Sequence, residues 1–358
     1  MIPLVDVKAQ YAPHIPELKE RFAEVLETGR FIFGPEVEAF ERESAAYLGV
    51  PHAIGVANGT DALVLALEAM GVTRGDEVVC PAFTFYATAE AIARVGAKPV
   101  FADIDPATQN LDPEDVASRL TERTKAIVPV HLFGRPALLP ELAALGVPLL
   151  EDAAQAFGAP GIATTGVCST FSFFPTKNLF ALGDGGLVVC TDNNVADKVR
   201  KLRFHGSTDK QTFELVGTNS RLDAIHAAAL RVFLPHLAGW NRARRKAAAL
   251  YAELGLGDAV ELPLEDRGHV FHMYVVRTGD RERVVAALGE AGIASAAYYV
   301  TPLHLQPAMA FLGYRPGSLP ETERAAAENL ALPLWAGISP EQQERVVATV
   351  RSAVGVPA

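Results

Sequence analysis

The sequence predicts an α/β fold in which a mainly parallel, seven-stranded sheet lies between helices, followed by a smaller C-terminal α+β region. Three observations carry that prediction. Seven apolar, strand-like runs recur between residues 50 and 192, most of them separated by segments with helical apolar spacing. Beyond residue 193 long helical patterns take over, and only later do strand-like runs return. Finally, 358 residues with 49% hydrophobic and 21% charged content can bury a large core and leave room for two domains.

In chain order the strand-like runs are HAIGVA, EVVCPAF, KPVFADID, AIVPVHL, PLLEDAA, VCSTFSFF and GLVVCTD. Between them, TDALVLALEAMG, ATAEAIARVG, DPEDVASRL and LPELAALG repeat their apolar residues every three to four positions, so they read as helices. Only a loop separates the last two runs, which predicts a mixed part of the sheet there. Long helices are expected from NNVADKVRKLRFHG through RLDAIHAAALRVFLPHLAGWNRARRKAAALYAEL. The C-terminal region then offers strands in HVFHMYVVRT and ASAAYYV around the helix RERVVAALGEAG, a surface loop in LGYRPGSLP, and a last helix, PEQQERVVATVRSAV. The expected domains are a large one over residues 1–238 and a small one over 239–358.

Composition narrows the function. A net charge of -10 disfavours nonspecific nucleic-acid binding, and the one dense basic run, RARRK at 242–246, reads as the polar face of a helix. No basic segment followed by an apolar one opens the chain, and no apolar run approaches 18 residues, so neither export nor a membrane span is expected. Cys80, Cys168 and Cys190 stand far apart in sequence without CxxC spacing, which supports neither a zinc knuckle nor a disulfide framework and fits a reducing cytoplasm.

Three stretches carry candidate chemistry. In ANGTDALVLAL, Gly59, Thr60 and Asp61 open a helix after a strand, an arrangement that suits either a bound phosphate or ordinary capping. PLLEDAAQAFGA ends an apolar strand in Glu151 and Asp152, at the sheet edge where open α/β proteins place ligands. Alternation sends these two side chains to opposite faces; Asp152, with Gln155 just beyond, is the better site candidate. No further ligands are spaced for a metal. In FSFFPTKNLFALGDGG, Lys177 follows an apolar run, and apolar surroundings disfavour the ammonium form and leave an amine able to attack a carbonyl. A snorkelling surface lysine is the alternative. Together, an anion site, a carboxylate and an amine after successive strands are the parts that hold pyridoxal 5'-phosphate, and Phe85 in PAFTFYATAEA offers a face for its ring.

At these residues the sequence resembles the pyridoxal-phosphate-dependent sugar-nucleotide aminotransferases of the DegT/DnrJ/StrS type, within the fold-type I aminotransferases. The resemblance also runs through IPLVDVKAQY, GRFIFGPEVEAFE, FADIDPATQNLDPEDV, KAIVPVHLFG, GTNSRLDAIHAAAL, PLHLQPA and LPLWAGI, in the expected order. It implies that Lys177 forms the Schiff base, Asp152 pairs with the pyridinium nitrogen and Gln155 contacts the ring hydroxyl. Phe85 would stack on the ring. Gly59, Thr60, Asp61 and Ser172 would hold the phosphate, and Asn219 would reach it from the other subunit of a homodimer. Arg30 and Arg221 are candidates for the nucleotide diphosphate, and His205 and His304 for the sugar.

The implied reaction moves an amino group from a donor, expected to be glutamate, to a 3-keto or 4-keto hexose linked to dTDP or UDP. A keto cyclitol substrate and a noncatalytic regulatory protein on the same fold are the alternatives. A dehydratase of the same family is disfavoured, because that branch replaces the lysine with histidine. A nicotinamide site at GDGG fails, because those glycines precede a strand instead of joining strand to helix. Three departures bear on substrate choice: a short connector from Gly158 to Ser169, Phe157 where many members have histidine, and His226 where glutamine is usual.

Overall fold

The computed structural model describes residues 1–356. Three helices, α1 (Val7–Tyr11), α2 (Ile15–Thr28) and α3 (Pro35–Leu48), precede β1 (His52–Val56). Strand–helix units follow: β1 leads to α4 (Gly59–Ala69), β2 (Glu77–Pro81) to α5 (Ala87–Arg94), β3 (Lys98–Ala102) to α6 (Pro113–Arg119), and β4 (Thr124–Ile127) to α7 (Leu139–Ala143). Then come β5 (Leu150–Asp152), β6 (Cys168–Ser172) and β7 (Gly186–Cys190).

These seven strands form two ladders, β1-β7-β6-β5 and β3-β2-β4. Isolated parallel bridges, Ile127 to Leu149 and Val130 to Asp152, join the β4 side of one to the β5 side of the other. The surface therefore runs β3-β2-β4-β5-β6-β7-β1. Only β7 is antiparallel to its neighbours. A loop without a helix joins β6 to β7, and the mixed part of the sheet expected there is present.

Both faces of the sheet are buried. On β7, Leu187 and Val189 pack with Phe40, Phe157, Phe171 and Phe173, while Val188 and Cys190 pack on the other side with Ile54, Leu65 and Phe101. The pleat sets that alternation. It also brings two thiols that are distant in sequence into register, because Cys168 pairs with Cys190 across β6 and β7 with Sγ atoms 3.1 Å apart. Both are free and buried.

After β7 come α8 (Asn193–Leu202), α9 (Ala224–Phe233) and α10 (Leu237–Glu253). The long helical pattern breaks into a short 3₁₀ turn at Leu234–His236, where Pro235 has no N–H to give to the helix. The core divides along α10: Leu237 belongs with the large-domain residues, whereas Ala247, Ala248 and Tyr251 pack with Ile2, Val276, Leu332 and Val346. The expected boundary at 238/239 falls in the first turn of this helix. Arg244, fully buried on the same helix, directs its guanidinium at the carbonyls of Phe271, His272 and Leu334 and at Gln10, each 3.4–3.5 Å away, and so ties α1 to the C-terminal domain.

The C-terminal region consists of β8 (Tyr274–Arg277), α11 (Arg281–Glu290), α12 (Pro320–Glu328), β9 (Asn329–Leu332) and α13 (Pro340–Val354). One expectation is corrected here. ASAAYYV is not a strand; it makes a single bridge, Ala296 to Ala331, and the partner of β8 is the short run NLAL. All four residues of β9 are buried, so the alternation that marks a half-exposed strand is missing from its sequence. Asp103, just past β3, accepts the backbone N–H groups of Glu321 and Thr322 and docks α12 on the large domain. Among the described residues no helix is long and apolar enough to cross a membrane.

Gly186 pairs with both Val56 and Ser172, and a Cβ there would lie 2.3 Å from the Asn58 carbonyl oxygen. That atom is backbone and starts α4. Gly186→Ala is therefore expected to cost about 1–3 kcal/mol or more in urea or thermal unfolding; an unchanged unfolding midpoint would refute this close approach.

Candidate active site

The carboxyl ends of β1, β2, β5 and β6 deliver the candidate residues. At the exit of β1, the Asn58 side chain accepts the Asp61 N–H at 2.8 Å and starts α4 at Gly59. The other first-turn N–H groups have no intrahelical acceptor, and the helix dipole favours an anion there. Ser172, the last residue of β6, lies directly against this turn: a Cβ on Gly59 would fall 2.7 Å from the Ser172 Cβ. Only glycine leaves that cradle open.

β5 ends in two carboxylates on opposite faces, as alternation predicts. Asp152 is buried, its Oδ2 accepting the Thr88 hydroxyl at 2.8 Å and its Oδ1 the Ala154 N–H at 3.2 Å. Thr88 sits in the first turn of α5, with the Thr84 hydroxyl 3.5 Å away. Burial pushes the Asp152 carboxyl up, while Thr88, Ala154 and the charge of Lys177 pull against it. Glu151 points the other way. Its carboxylate accepts the Ala163, Thr165 and Gly166 N–H groups at 2.7–3.3 Å and faces His131 Nε2 at 3.1 Å. His131 Nδ1 accepts the Ala137 N–H, so its proton is on Nε2 and is donated to Glu151. Burial drives Glu151 upward, but His131 and the amides of Gly166 and Ala163 outweigh it and hold the carboxyl below its usual range.

Lys177 follows β6. Burial lowers its amine to about 8, with Asp152 acting in the opposite direction. A second basic group stays neutral beside it: His272 is buried with no partner on either ring nitrogen, and burial, then the charges of Lys177 and Arg244, hold it well below its ordinary value.

The Gln155 amide is fixed at both ends. Its Oε1 accepts the Phe133 N–H at 2.6 Å and its Nε2 donates to the Tyr299 hydroxyl at 3.2 Å. Phe85 is 57% exposed, with its ring centroid 6.2 Å from that of Tyr299. The structure thus groups Gly59 with Ser172, Asp152 with Thr88 and Lys177, and Gln155 with Tyr299 and Phe85. Thr60 and Asp61 lie in the first turn of α4, where Asp61 has Arg94 at 3.9 Å.

The remaining candidates stand elsewhere. Asn219 is exposed and bridged through its backbone to Phe204; His205 and Arg30 are exposed, and the Arg221 guanidinium lies 5.8 Å from the Phe204 ring. His304 is 1% exposed and its Nε2 meets Glu323 at 3.1 Å. Its Nδ1 has no hydrogen-bond partner among the described residues. Thr88, His131 and Tyr299 were not singled out from the sequence, since each acts through a partner far along the chain.

The residues present fit pyridoxal phosphate. The helix start at Gly59 would suit a phosphate, the neutral-prone amine a Schiff base, and Asp152, fed by two donors, would suit a ring N–H as its acceptor. Among the described residues no group of His, Cys, Asp and Glu is arranged to hold a metal.

The sequence profile of the DegT/DnrJ/EryC1/StrS aminotransferases matches residues 14–351. The chain is 48% identical to a pleiotropic regulatory protein of Geobacillus stearothermophilus, the match covering 98% of this chain and 97% of that one. It is 43% identical, over 98% of this chain and 97% of the other, to an Acidithiobacillus ferrooxidans protein named UDP-N-acetyl-3-dehydro-alpha-D-glucosamine 3-aminotransferase. The crystal structure of DesV from S. venezuelae, in complex with a ketimine intermediate, superposes with a TM-score of 0.96 at 40% identity, covering 100% of this chain and 99% of that one. The chain belongs to the DegT/DnrJ/EryC1/StrS aminotransferase family, whose cofactor is pyridoxal 5'-phosphate.

Proposed function

We propose that this protein aminates a keto sugar carried on a nucleoside diphosphate, a 3-keto or 4-keto hexose on dTDP or UDP, with glutamate as the amino donor. The observation that carries the proposal is the pairing of Asp152 and Lys177 in one buried neighbourhood, on a fold whose Acidithiobacillus relative is named for such a substrate. The cofactor, when bound, supplies the electron sink for breaking a C–H bond at the amino carbon. In this reading Lys177 Nζ holds the cofactor and, once free, takes up and returns that proton, a task its lowered affinity for protons suits. Asp152 keeps a proton on the ring nitrogen. Phe85 packs on the ring, Gln155 donates to its hydroxyl oxygen, and Ser172 with the first turn of α4 at Gly59, Thr60 and Asp61 holds the phosphate.

With a net charge of -10, local cations must attract a nucleotide diphosphate, and exposed Arg30 and half-buried Arg221 with exposed His205 are the proposed contacts. A homodimer with shared sites is supported by exposed apolar side chains, Phe31, Ile32, Phe85, Phe174 and Leu182 among them, which a second copy would cover. In it, Asn219 would reach the partner's phosphate site. Three buried free thiols fit a cytoplasmic location. A second reading, a noncatalytic regulator, is favoured by the name of the Geobacillus relative. A scaffold has no need of Lys177, Asp152 and Gln155 together, which argues against it.

Protein incubated with pyridoxal phosphate is expected to gain a visible band that borohydride fixes on Lys177, that glutamate bleaches, and that keto-sugar nucleotides restore. Lys177→Ala should lose turnover by about 10³-fold or more; a protein that binds the cofactor but turns over no donor would favour the regulator. In the apoprotein, the rate at which an aldehyde or acylating reagent modifies Lys177 should rise with pH, because only the neutral amine attacks, and level off above a midpoint near 8. A midpoint near 10.5, the unperturbed lysine value, would show that burial does not act on this amine. Mixing Lys177→Ala with Asn219→Asp subunits, each inactive alone, should restore about a quarter of wild-type activity if sites are shared, since half of the dimers then carry one intact site. Absence of any rescue in confirmed mixed dimers would place Asn219 in its own subunit's site or outside the site.

A further inference from the structure

Gln155 has a fixed sense. Because the Phe133 N–H can only donate, the amide atom facing it is the oxygen, and Nε2 must face Tyr299. One Nε2 hydrogen goes to the Tyr299 oxygen; the other is unspent on that contact. The Tyr299 hydroxyl accepts in this pair and so keeps its own proton for another acceptor.

Tyr299 comes from the C-terminal half of the chain and is held there rigidly. Its neighbour Tyr298 gives its backbone N–H to Asn329 Oδ1 at 2.6 Å, and Asn329 Nδ2 donates to the carbonyls of Ala325 and Ala326 at 2.8 and 3.2 Å. Asn329 is fully buried at the start of β9, and the bridge from Ala296 to Ala331 fixes the same segment. At its other end the Tyr299 ring meets Phe83 and Phe85, with centroids 6.2 Å away in each case. Burial also raises the phenol above its ordinary value, so it stays a protonated donor across the working pH range.

We infer that Tyr299 is a positioning residue that presents the Gln155 amide as a hydrogen-bond donor to the ring oxygen of the cofactor, so that a segment anchored on β9 sets the proton affinity of the bound cofactor. This rests on the cofactor site proposed above. A donor to that oxygen stabilises its deprotonated form, and losing the donor moves the protonation midpoint up.

The test is a pH titration of the visible band of the loaded protein, together with cofactor affinity measured by fluorescence. Tyr299→Phe keeps the ring among Phe83 and Phe85 and removes only the hydroxyl. Its midpoint is expected to rise by about half a pH unit or more, with cofactor bound roughly threefold to tenfold more weakly. Gln155→Leu should produce a shift of the same sign, and the double variant should add little to it, as for groups acting in series. Tyr298→Phe, which keeps the backbone bond to Asn329 and the ring 5.8 Å from that of Tyr299, should leave the midpoint in place. If Tyr299→Phe does not fold, the Gln155→Leu titration decides. Unshifted midpoints would overturn the inference even if thermal stability fell, because a packing role alone does not move them. A wild-type protein with no cofactor band would instead overturn the site on which the inference rests.

Discussion

Two carboxylates side by side on a three-residue strand constrain everything around them. Glu151 and Asp152 are buried, and an unpaired charge in such a place costs several kcal/mol. Each is therefore surrounded by donors, and the pleat of β5 sends those donors to different parts of the molecule. Asp152 draws in the first turn of α5 through Thr88 and meets the charge of Lys177. Glu151 draws in His131 and three consecutive-region amides between Ala163 and Gly166. Within the connector from Gly158 to Ser169, Glu151 satisfies amides that would otherwise be buried without an acceptor. Moving the end of β5 would leave two buried charges short of partners, which is why the cofactor's proposed counter-ion can be held still without a metal or a second acid.

The fold was legible because its signals are local. Strands β1 to β7 and the helices between them follow from apolar spacing. Asp152, Lys177, Ser172 and Gly59 were legible for a related reason: each ends or follows a strand, and strand ends fix where a side chain emerges. What was not legible acts across the chain. Thr88 is 64 residues from Asp152 and Tyr299 is 144 from Gln155, and neither threonine nor tyrosine in these runs departs from a plausible packing role. β9 was missed for the opposite reason, since a short strand buried on both faces shows no period at all.

Two of the departures from the family pattern also find physical places. Phe157, where histidine is frequent, packs its ring 4.8 Å from Phe171 and 5.9 Å from Phe173 and Tyr47, on the core face, while its carbonyl accepts Asn241 Nδ2. A histidine there would need partners that this aromatic cluster does not offer. His226, where glutamine is usual, lies so close to Gly183 that a Cβ on that glycine would fall 2.8 Å from its Nε2. It supports the LGDGG turn that returns the chain to β7. Both residues are thus absorbed by the packing that holds β6 and β7. That leaves Arg30 and His205, both exposed, as candidates without such a packing role.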